Sequence, residues 1–323
     1  MSSNNRPLIA VAGALSKQGR SVASTLLQSG RYHVRALTRR VDSPAAQNLA
    51  RQGAELVAVP LELGHGKDFV KAFSGAQGAF LLTPPVVPPA THETQLGKQL
   101  ADAAVTAGVQ HVIYSGLENV DQISGGRKFA PHFTDKARVE AYIRTLPVTS
   151  SFIYLAYFYT NLVEYYYPRV EGPPHGDGDT LVFPIYLPQG LRAPFVDPLT
   201  ATGPAVLEML DHREKYAGQS LPVVGDIISP RQMVETFTRV TGKKAVYRSA
   251  FKREELLHHF PEFRAMEGLV REIEGMVEYT AEYGYFRNDR DLLWSRRINP
   301  NTLSWEQFLR HTGWQGQKQS FGG

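Results

Sequence analysis

The stretch L-I-A-V-A-G-A-L-S-K-Q-G-R, residues 8–20, decides the fold that the rest of the chain must join. Its apolar run breaks at Gly13, and a helical pattern begins just past Gly19. A short buried strand that turns sharply into a helix points backbone N–H groups and the positive end of the helix dipole at one spot, which suits a dinucleotide pyrophosphate. Gly13 permits the tight turn, and Gly19 lets the helix pack close to the strand.

The glycine pattern of this turn is incomplete. In the spacing G-x-x-G-x-x-G the middle glycine is replaced by Ser16, which puts a Cβ where backbone would approach a ligand. The Ser16 hydroxyl can still donate to a phosphate. The same residues also suit a strand–loop–helix corner that binds nothing, so the turn by itself leaves both interpretations open.

A second predicted strand, residues 33–38, ends on Arg39 and Arg40. In dinucleotide-binding α/β units the end of this strand meets the adenosine ribose. An acid there favours NAD, whereas an arginine pairs with the 2′-phosphate of NADP. Arg39 therefore predicts NADP(H) as the cofactor. A solvated basic loop is the alternative interpretation for both arginines.

Composition narrows the class of protein. Of the 323 residues 42% are hydrophobic and 20% charged, which is typical of a folded globular chain, and the longest apolar runs are only strand-sized. The beginning, M-S-S-N-N-R-P, has no apolar signal core, and there is no cysteine for disulfides or thiolate metal sites. The ten histidines have no metal-binding spacing, and the net charge of +4 is small. We expect a cytoplasmic protein without metal, membrane or direct nucleic-acid partners.

The first half of the chain alternates strands and helices in the βαβ rhythm of a parallel sheet. Beyond the opening turn, the predicted elements are a strand at 33–38, a strand at 55–59, a helix near 68–73, a strand at 78–83, a helix at about 93–107, a strand at 111–114, a helix at about 133–144 and a strand at 149–155. Right-handed crossovers place the ends of the first, fourth and fifth strands around one crevice. We predict an α/β fold, with a Rossmann-type doubly wound parallel sheet over residues 1–156.

From Tyr157 the pattern changes to an aromatic segment and a Gly- and Pro-rich loop. Helical patterns follow at about 201–210, 230–241, 252–283 and 304–311. We predict a smaller C-terminal α+β lobe, residues 157–323, interleaved with the first domain and covering the carboxyl ends of the strands. The aromatic segment either lines a pocket for a flat substrate or fills the core; its rings are Phe158, Tyr159, Tyr165, Tyr166 and Tyr167.

Three residues near the fifth strand are candidates for catalysis. Ser115 ends that strand, and His132 and Lys136 lie four apart on the next helix, so they share a face. In short-chain dehydrogenases Ser, Tyr and Lys occupy positions like these, and His132 stands where the Tyr would be. Lys136 would bind the nicotinamide ribose and stabilise a developing alkoxide, while His132 would donate a proton. The alternative is that His132 and Lys136 are surface residues of an amphipathic helix.

Several segments resemble the NmrA-like family, a branch of the atypical short-chain dehydrogenases. They include V-A-G-A-L-S-K-Q-G, V-R-A-L-T-R, E-T-Q-L-G-K-Q-L-A-D-A-A, H-V-I-Y-S-G-L-E-N, H-F-T-D-K-A-R-V-E-A-Y, F-Y-T-N-L and N-D-R-D-L-L-W-S-R-R-I-N-P-N-T-L-S-W-E-Q-F-L, in order along nearly the whole chain. Three positions depart from the family pattern: Ser16 replaces a glycine, Thr160 replaces the usual Glu, and Pro60 stands where Asp is frequent.

The resemblance implies a Rossmann domain that prefers NADP(H), and it assigns the contacts residue by residue. The implied cofactor-binding residues are Gly13, Ala14, Leu15, Ser16, Lys17, Gln18 and Gly19 for the pyrophosphate, Arg39 with Arg40 for the 2′-phosphate, Thr83, Pro84 and Pro85 for the middle of the cofactor, and Lys136, Phe158, Tyr159, Thr160 and Asn161 for the nicotinamide side.

The family divides by function into true reductases and regulators that sense the NADPH/NADP ratio and bind partner proteins. The H-x-x-x-K pair and the aromatic lobe favour an NADPH-dependent reductase of a small carbonyl or conjugated, aromatic or polyketide-like molecule. The alternative is a non-catalytic redox sensor that regulates a partner protein. A homodimer is compatible with either function.

Overall fold

A computed structural model describes residues 6–84, 92–171 and 180–321. As far as residue 171, the elements in chain order are β1 (Leu8–Val11), α1 (Lys17–Ser29), β2 (His33–Thr38), α2 (Pro44–Arg51), β3 (Glu55–Ala58), α3 (Gly66–Phe73), β4 (Gly78–Leu81), α4 (Glu93–Thr106), β5 (His111–Gly116), α5 (Val120–Ser124), α6 (Pro131–Ile143), β6 (Thr149–Leu155), β7 (Tyr157–Phe158), α7 (Tyr159–Glu164) and β8 (Arg169–Glu171).

From residue 180 onward the elements are β9 (Thr180–Ile185), β10 (Ala193–Val196), α8 (Pro198–Asp211), α9 (Arg213–Tyr216), β11 (Ser220–Val223), β12 (Asp226–Ile228), α10 (Pro230–Thr241), β13 (Ala245–Ser249), α11 (Arg253–His259), a 3₁₀ helix (Pro261–Ala265), α12 (Glu267–Tyr283), α13 (Trp294–Ile298) and α14 (Trp305–Thr312).

The central sheet has seven strands in the order β11-β6-β5-β4-β1-β2-β3, and every neighbouring pair is parallel. Its inner strands are buried on both faces because helices cover both, and every residue of β4 and β5 is buried. The chain winds outward from β1 to β3 and then returns to add β4 on the other side of β1. This reversal opens a crevice at the carboxyl ends of β1 and β4, where ligands bind in such folds. The predicted fold class is confirmed.

The second half of the chain contributes to the same layers. Strand β11 extends the central sheet beside β6, and its Pro222 is tolerated because β11 is an edge strand. Helix α8 packs on α1 so closely that a Cβ on Gly203 would lie 2.3 Å from the carbonyl oxygen of Ser21. A boundary between residues 156 and 157 therefore cuts through the central sheet, and the C-terminal segment is interleaved with it.

Two small sheets complete the C-terminal part, in the orders β12-β10-β7 and β13-β9-β8. Tyr159 lies between β10 and α14, stacked on Phe195 with ring centroids 6.0 Å apart and packed against Trp305. Tyr166 packs edge-on against Tyr186. Both tyrosines fill the core. In the described ranges, no helix is long and apolar enough to cross a membrane.

Candidate functional site

The turn between β1 and α1 is fixed by its two glycines. Gly13 has φ +61°, a backbone conformation that favours glycine. A Cβ on Gly19 would stand 2.1 Å from the carbonyl oxygen of Gly13, so no larger residue fits there without moving the turn. Ser16 caps α1, and its hydroxyl accepts a hydrogen bond from the Gly19 N–H at 3.0 Å. With φ −66°, Ser16 occupies a conformation open to any residue, so its replacement of a glycine leaves the turn intact.

The other residues of the turn have separate surroundings. The Ala14 N–H donates to the Leu37 carbonyl at 3.1 Å, and both Ala14 and Leu15 are buried. Within the described part of the chain, the N–H groups of Lys17 and Gln18 make no hydrogen bond, as expected for the first turn of a helix. Two unbonded N–H groups at the positive end of a helix dipole are an arrangement that suits an anion. The turn therefore fits a pyrophosphate.

The Lys17 ammonium forms an ion pair with Glu164 at the end of α7. Glu164 is buried and also accepts the backbone N–H of Phe321 at 2.6 Å. The Phe321 carbonyl in turn accepts from the Arg20 guanidinium. One carboxylate thus joins the first turn of α1, helix α7 and the C-terminal segment. If the contact predicted for Lys17 involved its side chain, it would compete with this ion pair.

Arg39 and Arg40 follow β2 directly, and both are exposed. In the described part of the chain the Arg39 side chain makes no hydrogen bond or ion pair. Arg40 is engaged elsewhere in the structure, and its backbone N–H donates to the Thr38 hydroxyl at 3.2 Å. A guanidinium at the end of the second strand is suitably placed for a ribose 2′-phosphate, and Arg39 fits that role better than Arg40 because it has no competing partner.

Lys136 on α6 lies at the carboxyl ends of β4 and β5 with its ammonium buried. Its Nζ donates to the Glu93 carboxylate and lies 3.3 Å from the Thr83 carbonyl oxygen and 3.4 Å from the Thr83 hydroxyl. The Thr83 hydroxyl donates to Glu93 at 2.7 Å and is 3.1 Å from the Tyr114 hydroxyl. Burial, together with the charge of Glu93, raises the pKa of Tyr114 well above its ordinary value, so Tyr114 is a hydrogen-bond donor here.

The two prolines after Thr83 differ in what the structure describes. Pro84 is exposed at the mouth of the crevice, whereas Pro85 lies outside the described residues.

His132 occupies the first turn of α6, where its backbone N–H and its ring Nδ1 both donate to the same carboxylate oxygen of Glu272 on α12. Burial raises the pKa of Glu272, but the hydrogen bonds and charge of His132 outweigh it, and Lys136 contributes in the same direction, so the net pKa lies below the ordinary value. The His132 ring is partly exposed. Among the described residues its Nε2 makes no hydrogen bond, since Glu272 holds only the other nitrogen.

The expected cluster of Ser115, His132 and Lys136 is not formed by direct contact. Ser115 is buried, and its hydroxyl donates to the Gln18 side chain on α1 at 2.7 Å. His132 is held by α12, and Lys136 is held by α4 and the end of β4. The physical reason is that each side chain has a nearer polar partner on a different element. Ser115 consequently ties β5 to Gln18 in the predicted dinucleotide-binding turn, residues 13–19 (the dinucleotide turn).

Segment 158–161 has two side chains in the core and two that are partly exposed. Tyr159 is fully buried among the aromatic rings of the C-terminal part, so only its backbone is left for a ligand. Thr160 is also fully buried, and its hydroxyl has no hydrogen-bond partner in the described residues. Phe158 and Asn161 are partly exposed. For this segment the predicted nicotinamide contacts stay predictions.

Sequence reasoning missed three carboxylates that organise the site. Glu93 pairs with Lys136, and Glu272 holds His132. Glu118 binds Arg290 in a two-pronged pair, with distances of 2.7 and 3.0 Å. Glu118 and Arg290 stand in segments that had been recognised, H-V-I-Y-S-G-L-E-N and N-D-R-D, but nothing in either segment says that the two meet. Among the described residues there is no group of three or more His, Asp or Glu that could hold a metal ion.

The order of the central sheet and the glycine turn between β1 and α1 define a Rossmann-like α/β fold. The chain belongs to the NmrA-like family, whose model matches residues 5–309. It is 31% identical over 271 residues to the NmrA-like family domain-containing oxidoreductase FrzB of Cladobotryum sp., covering 79% of this chain and 80% of that protein. It is 32% identical over 260 residues to the oxidoreductase cpsB of Aspergillus campestris, covering 76% of each chain.

The structure of NmrA, described as a negative transcriptional regulator, has the same fold. In its complex with NADP it matches with a TM-score of 0.73 and 24% identity over 94% of each chain. The resemblance drawn from the sequence is confirmed.

Proposed function

We propose that the chain is an oxidoreductase that uses NADPH to reduce a small carbonyl or conjugated molecule. The observation that carries the proposal is the Lys136 ammonium, buried at the carboxyl ends of β4 and β5 in the crevice that the dinucleotide turn also faces. A fixed positive charge in such a site stabilises negative charge that develops on a substrate oxygen. The names of FrzB and cpsB as oxidoreductases support this class of activity.

The proposed cofactor contacts follow from the geometry of the crevice. The N-terminus of α1 holds the pyrophosphate, and Arg39 holds the 2′-phosphate that distinguishes NADPH from NADH. No acid stands at the end of β2 to bind a free ribose 2′-hydroxyl, since Arg39 and Arg40 occupy that position. NADPH is therefore the proposed cofactor.

Bound NADPH would supply the hydride. Lys136 would then stabilise the oxygen that gains negative charge, and His132 would supply the proton. Glu272 supports that role because it accepts from Nδ1, which orients the ring, and because its carboxylate pairs with the doubly protonated imidazolium, the form in which Nε2 can donate a proton to the substrate. In this arrangement Ser115 positions Gln18 of the dinucleotide turn rather than the substrate.

The second candidate function is a non-catalytic sensor of NADPH that binds a partner protein or a second copy of the chain. Tyr159 and Tyr166 favour it, because they fill the core instead of lining a pocket for a flat substrate. The aromatic segment was one of the two features that favoured a reductase over a sensor, the other being the pair of His132 and Lys136, so the burial of these tyrosines weakens that preference. The similarity to NmrA, a transcriptional regulator, agrees with this candidate.

The two functions are separated by following the absorbance of NADPH with a panel of aldehydes, quinones and polyketide-like ketones. The reductase predicts oxidation of NADPH with at least one acceptor, and Lys136→Met should remove most of this turnover. Lys98→Met, at an exposed lysine of α4, is the matched control and should keep it. If no acceptor is reduced while NADPH changes the oligomeric state or the affinity for a partner, the sensor replaces the reductase.

A further inference from the structure

The Lys136 ammonium has as many acceptors as it has protons. A lysine ammonium carries three N–H donors. Three oxygens surround it: one from the Glu93 carboxylate, the carbonyl of Thr83 and the hydroxyl of Thr83. A ribose or substrate hydroxyl can bind Lys136 only if one of these contacts is given up.

We propose that Glu93 is a positioning residue that anchors Lys136 through its charge, and that the two Thr83 contacts are the ones exchanged for ligand hydroxyls. The identity of the ligand rests on the proposed function. The anchor itself does not, since both of its partners belong to this chain and meet without a ligand.

Burial makes the anchor necessary. Glu93 is 1% exposed and Lys136 is 8% exposed. An ammonium buried to this extent is stable as a cation only when a carboxylate pairs with it and its protons are all bonded. Glu93 satisfies this requirement from α4, an element different from the one that carries Lys136.

The other charged and titratable groups around Lys136 are committed elsewhere. Glu272 of α12 is held by His132, and the Tyr114 hydroxyl of β5 contacts Thr83. On α6 itself, Asp135 accepts from Thr94 and Arg138, and Glu140 is paired with Arg144. In the described part of the chain, Glu93 contacts no cation besides Lys136. Glu93 is therefore the carboxylate that determines where the ammonium sits.

The Thr83 contacts are the exchangeable ones for two reasons. Their lengths of 3.3 and 3.4 Å are beyond the usual range for such hydrogen bonds, so giving them up costs little. The Thr83 hydroxyl also keeps its own partners, since it donates to Glu93 at 2.7 Å and accepts from Tyr114 at 3.1 Å. When Lys136 turns to a ligand, the Thr83 hydroxyl therefore keeps Tyr114 as a donor, and among the described residues only the Thr83 carbonyl is left without one.

The anchor is tested by NMR of the full-length chain labelled with ¹⁵N at the lysine side chains, first without NADPH. The Nζ protons of a lysine give an NMR signal near neutral pH only when the amine is protonated and these protons are protected from exchange with water. We expect a protected Nζ signal that is absent from Lys136→Arg, which assigns it. Glu93→Gln should lose this signal. Glu140→Gln, at a buried carboxylate of α6 that pairs with Arg144, should keep it.

A protected Lys136 signal in Glu93→Gln overturns the proposal, and so does its absence in the wild-type protein. If Glu93→Gln does not fold, Glu93→Asp decides, because it retains the charge and should retain the signal. A functional readout follows: Glu93→Gln should raise the KM for NADPH and lower kcat at least tenfold, with partial rescue in Glu93→Asp. Equal loss in Glu140→Gln would reveal a general structural effect and contradict positioning.

Adding NADPH separates this proposal from the proposed function. If NADPH binds as proposed, the Lys136 signal stays protected and shifts as ligand hydroxyls replace Thr83. A Lys136 signal that depends on Glu93 but ignores saturating NADPH supports the anchor and contradicts the ribose contact. If NADPH makes the Lys136 signal disappear because its protons exchange rapidly with water, the claim that the ligand replaces only the Thr83 contacts is contradicted.

Discussion

Replacing Arg39 by alanine tests the cofactor preference. The guanidinium is exposed and has no competing partner in the described part of the chain, so nothing else in the protein changes when it is removed. A hydrogen bond to a charged group contributes about 1.5–3 kcal/mol. Because the site is open to solvent, the lower end applies, and about 1.5 kcal/mol corresponds to roughly tenfold in Kd.

The assay is a titration of NADPH and of NADH followed by the fluorescence of the bound nicotinamide. Wild-type protein should bind NADPH at least tenfold more tightly, and Arg39→Ala should lose this preference by weakening NADPH alone. Raising the salt concentration to about 1 M, where the screening length falls to roughly 3 Å, should likewise reduce the preference of the wild-type protein for NADPH over NADH.

Arg51→Ala is the matched control, because Arg51 ends α2 and leads toward the amino end of β3, whereas the crevice lies at the carboxyl ends of the strands. It should leave both affinities unchanged. Equal wild-type affinities for the two cofactors, or a preference that survives Arg39→Ala, would refute the assignment of the 2′-phosphate to Arg39.

Three further predictions test the rest of the site. Gly19→Ala should weaken the binding of NADPH and of NADH alike by more than tenfold, because the added Cβ would clash with the turn that both cofactors share. Gly190→Ala is the control and should leave both affinities unchanged, since there is open space around Gly190. Loss of affinity for only one of the two cofactors would contradict this prediction. His132→Ala should lower turnover about 10²-fold and leave the affinity for NADPH nearly unchanged. His258→Ala, at an exposed histidine, is the control and should leave turnover unchanged. Wild-type turnover in His132→Ala would mean that another group supplies the proton. The pKa of Glu272 is lowered in the folded protein, so its carboxylate stabilises the fold above the ordinary glutamate pKa of about 4.3, and this contribution is lost as the pH falls through the lower folded value. The free energy of unfolding in urea should therefore depend less on pH in Glu272→Gln than in the wild-type protein between about pH 6 and about pH 3. An unchanged pH dependence would contradict the pair of Glu272 with His132.

The sheet could be predicted from the sequence because its signals are local. The predicted bounds of β2 and β6 agree with the structure. The strand expected to run to Thr83 ends at Leu81, because the ladder with β5 stops at the pair of Leu81 with Tyr114. The charged helical region 252–283 consists of the two α-helices α11 and α12, and Pro261 begins the short 3₁₀ helix between them. The ends of strands and helices thus depend on how far neighbouring strands pair and on where single prolines stand.

The organisation of the site could not be predicted, since its contacts join distant parts of the chain. Glu93 and Lys136 are 43 residues apart, and Glu118 and Arg290 are 172 apart. Spacing on α6 correctly suggested that His132 and Lys136 share a helix, but it carries no information about Glu272 on α12. Side-chain partners across elements are set by packing, which local patterns do not encode.

The aromatic segment illustrates the same limit. Its composition suits either a pocket or a core, and only the positions of Phe195 and Trp305 decide that Tyr159 belongs to the core. The placement of β11 in the central sheet was missed for a related reason. Its sequence, S-L-P-V, is short and contains a proline. A proline is compatible with an edge strand, but the sequence does not show that β11 lies at an edge, because that follows only from its pairing with β6.

The central claim, hydride transfer from NADPH to a small acceptor, is tested most directly with NADPH deuterated at C4 of the nicotinamide. Each of the two C4 stereoisomers is incubated with the protein and an acceptor, and the product is analysed by mass spectrometry. The account predicts deuterium in the product from one stereoisomer only, with yield that falls sharply in Lys136→Met. Tight binding of NADPH with no deuterium transferred from either stereoisomer to any acceptor in the panel would contradict it.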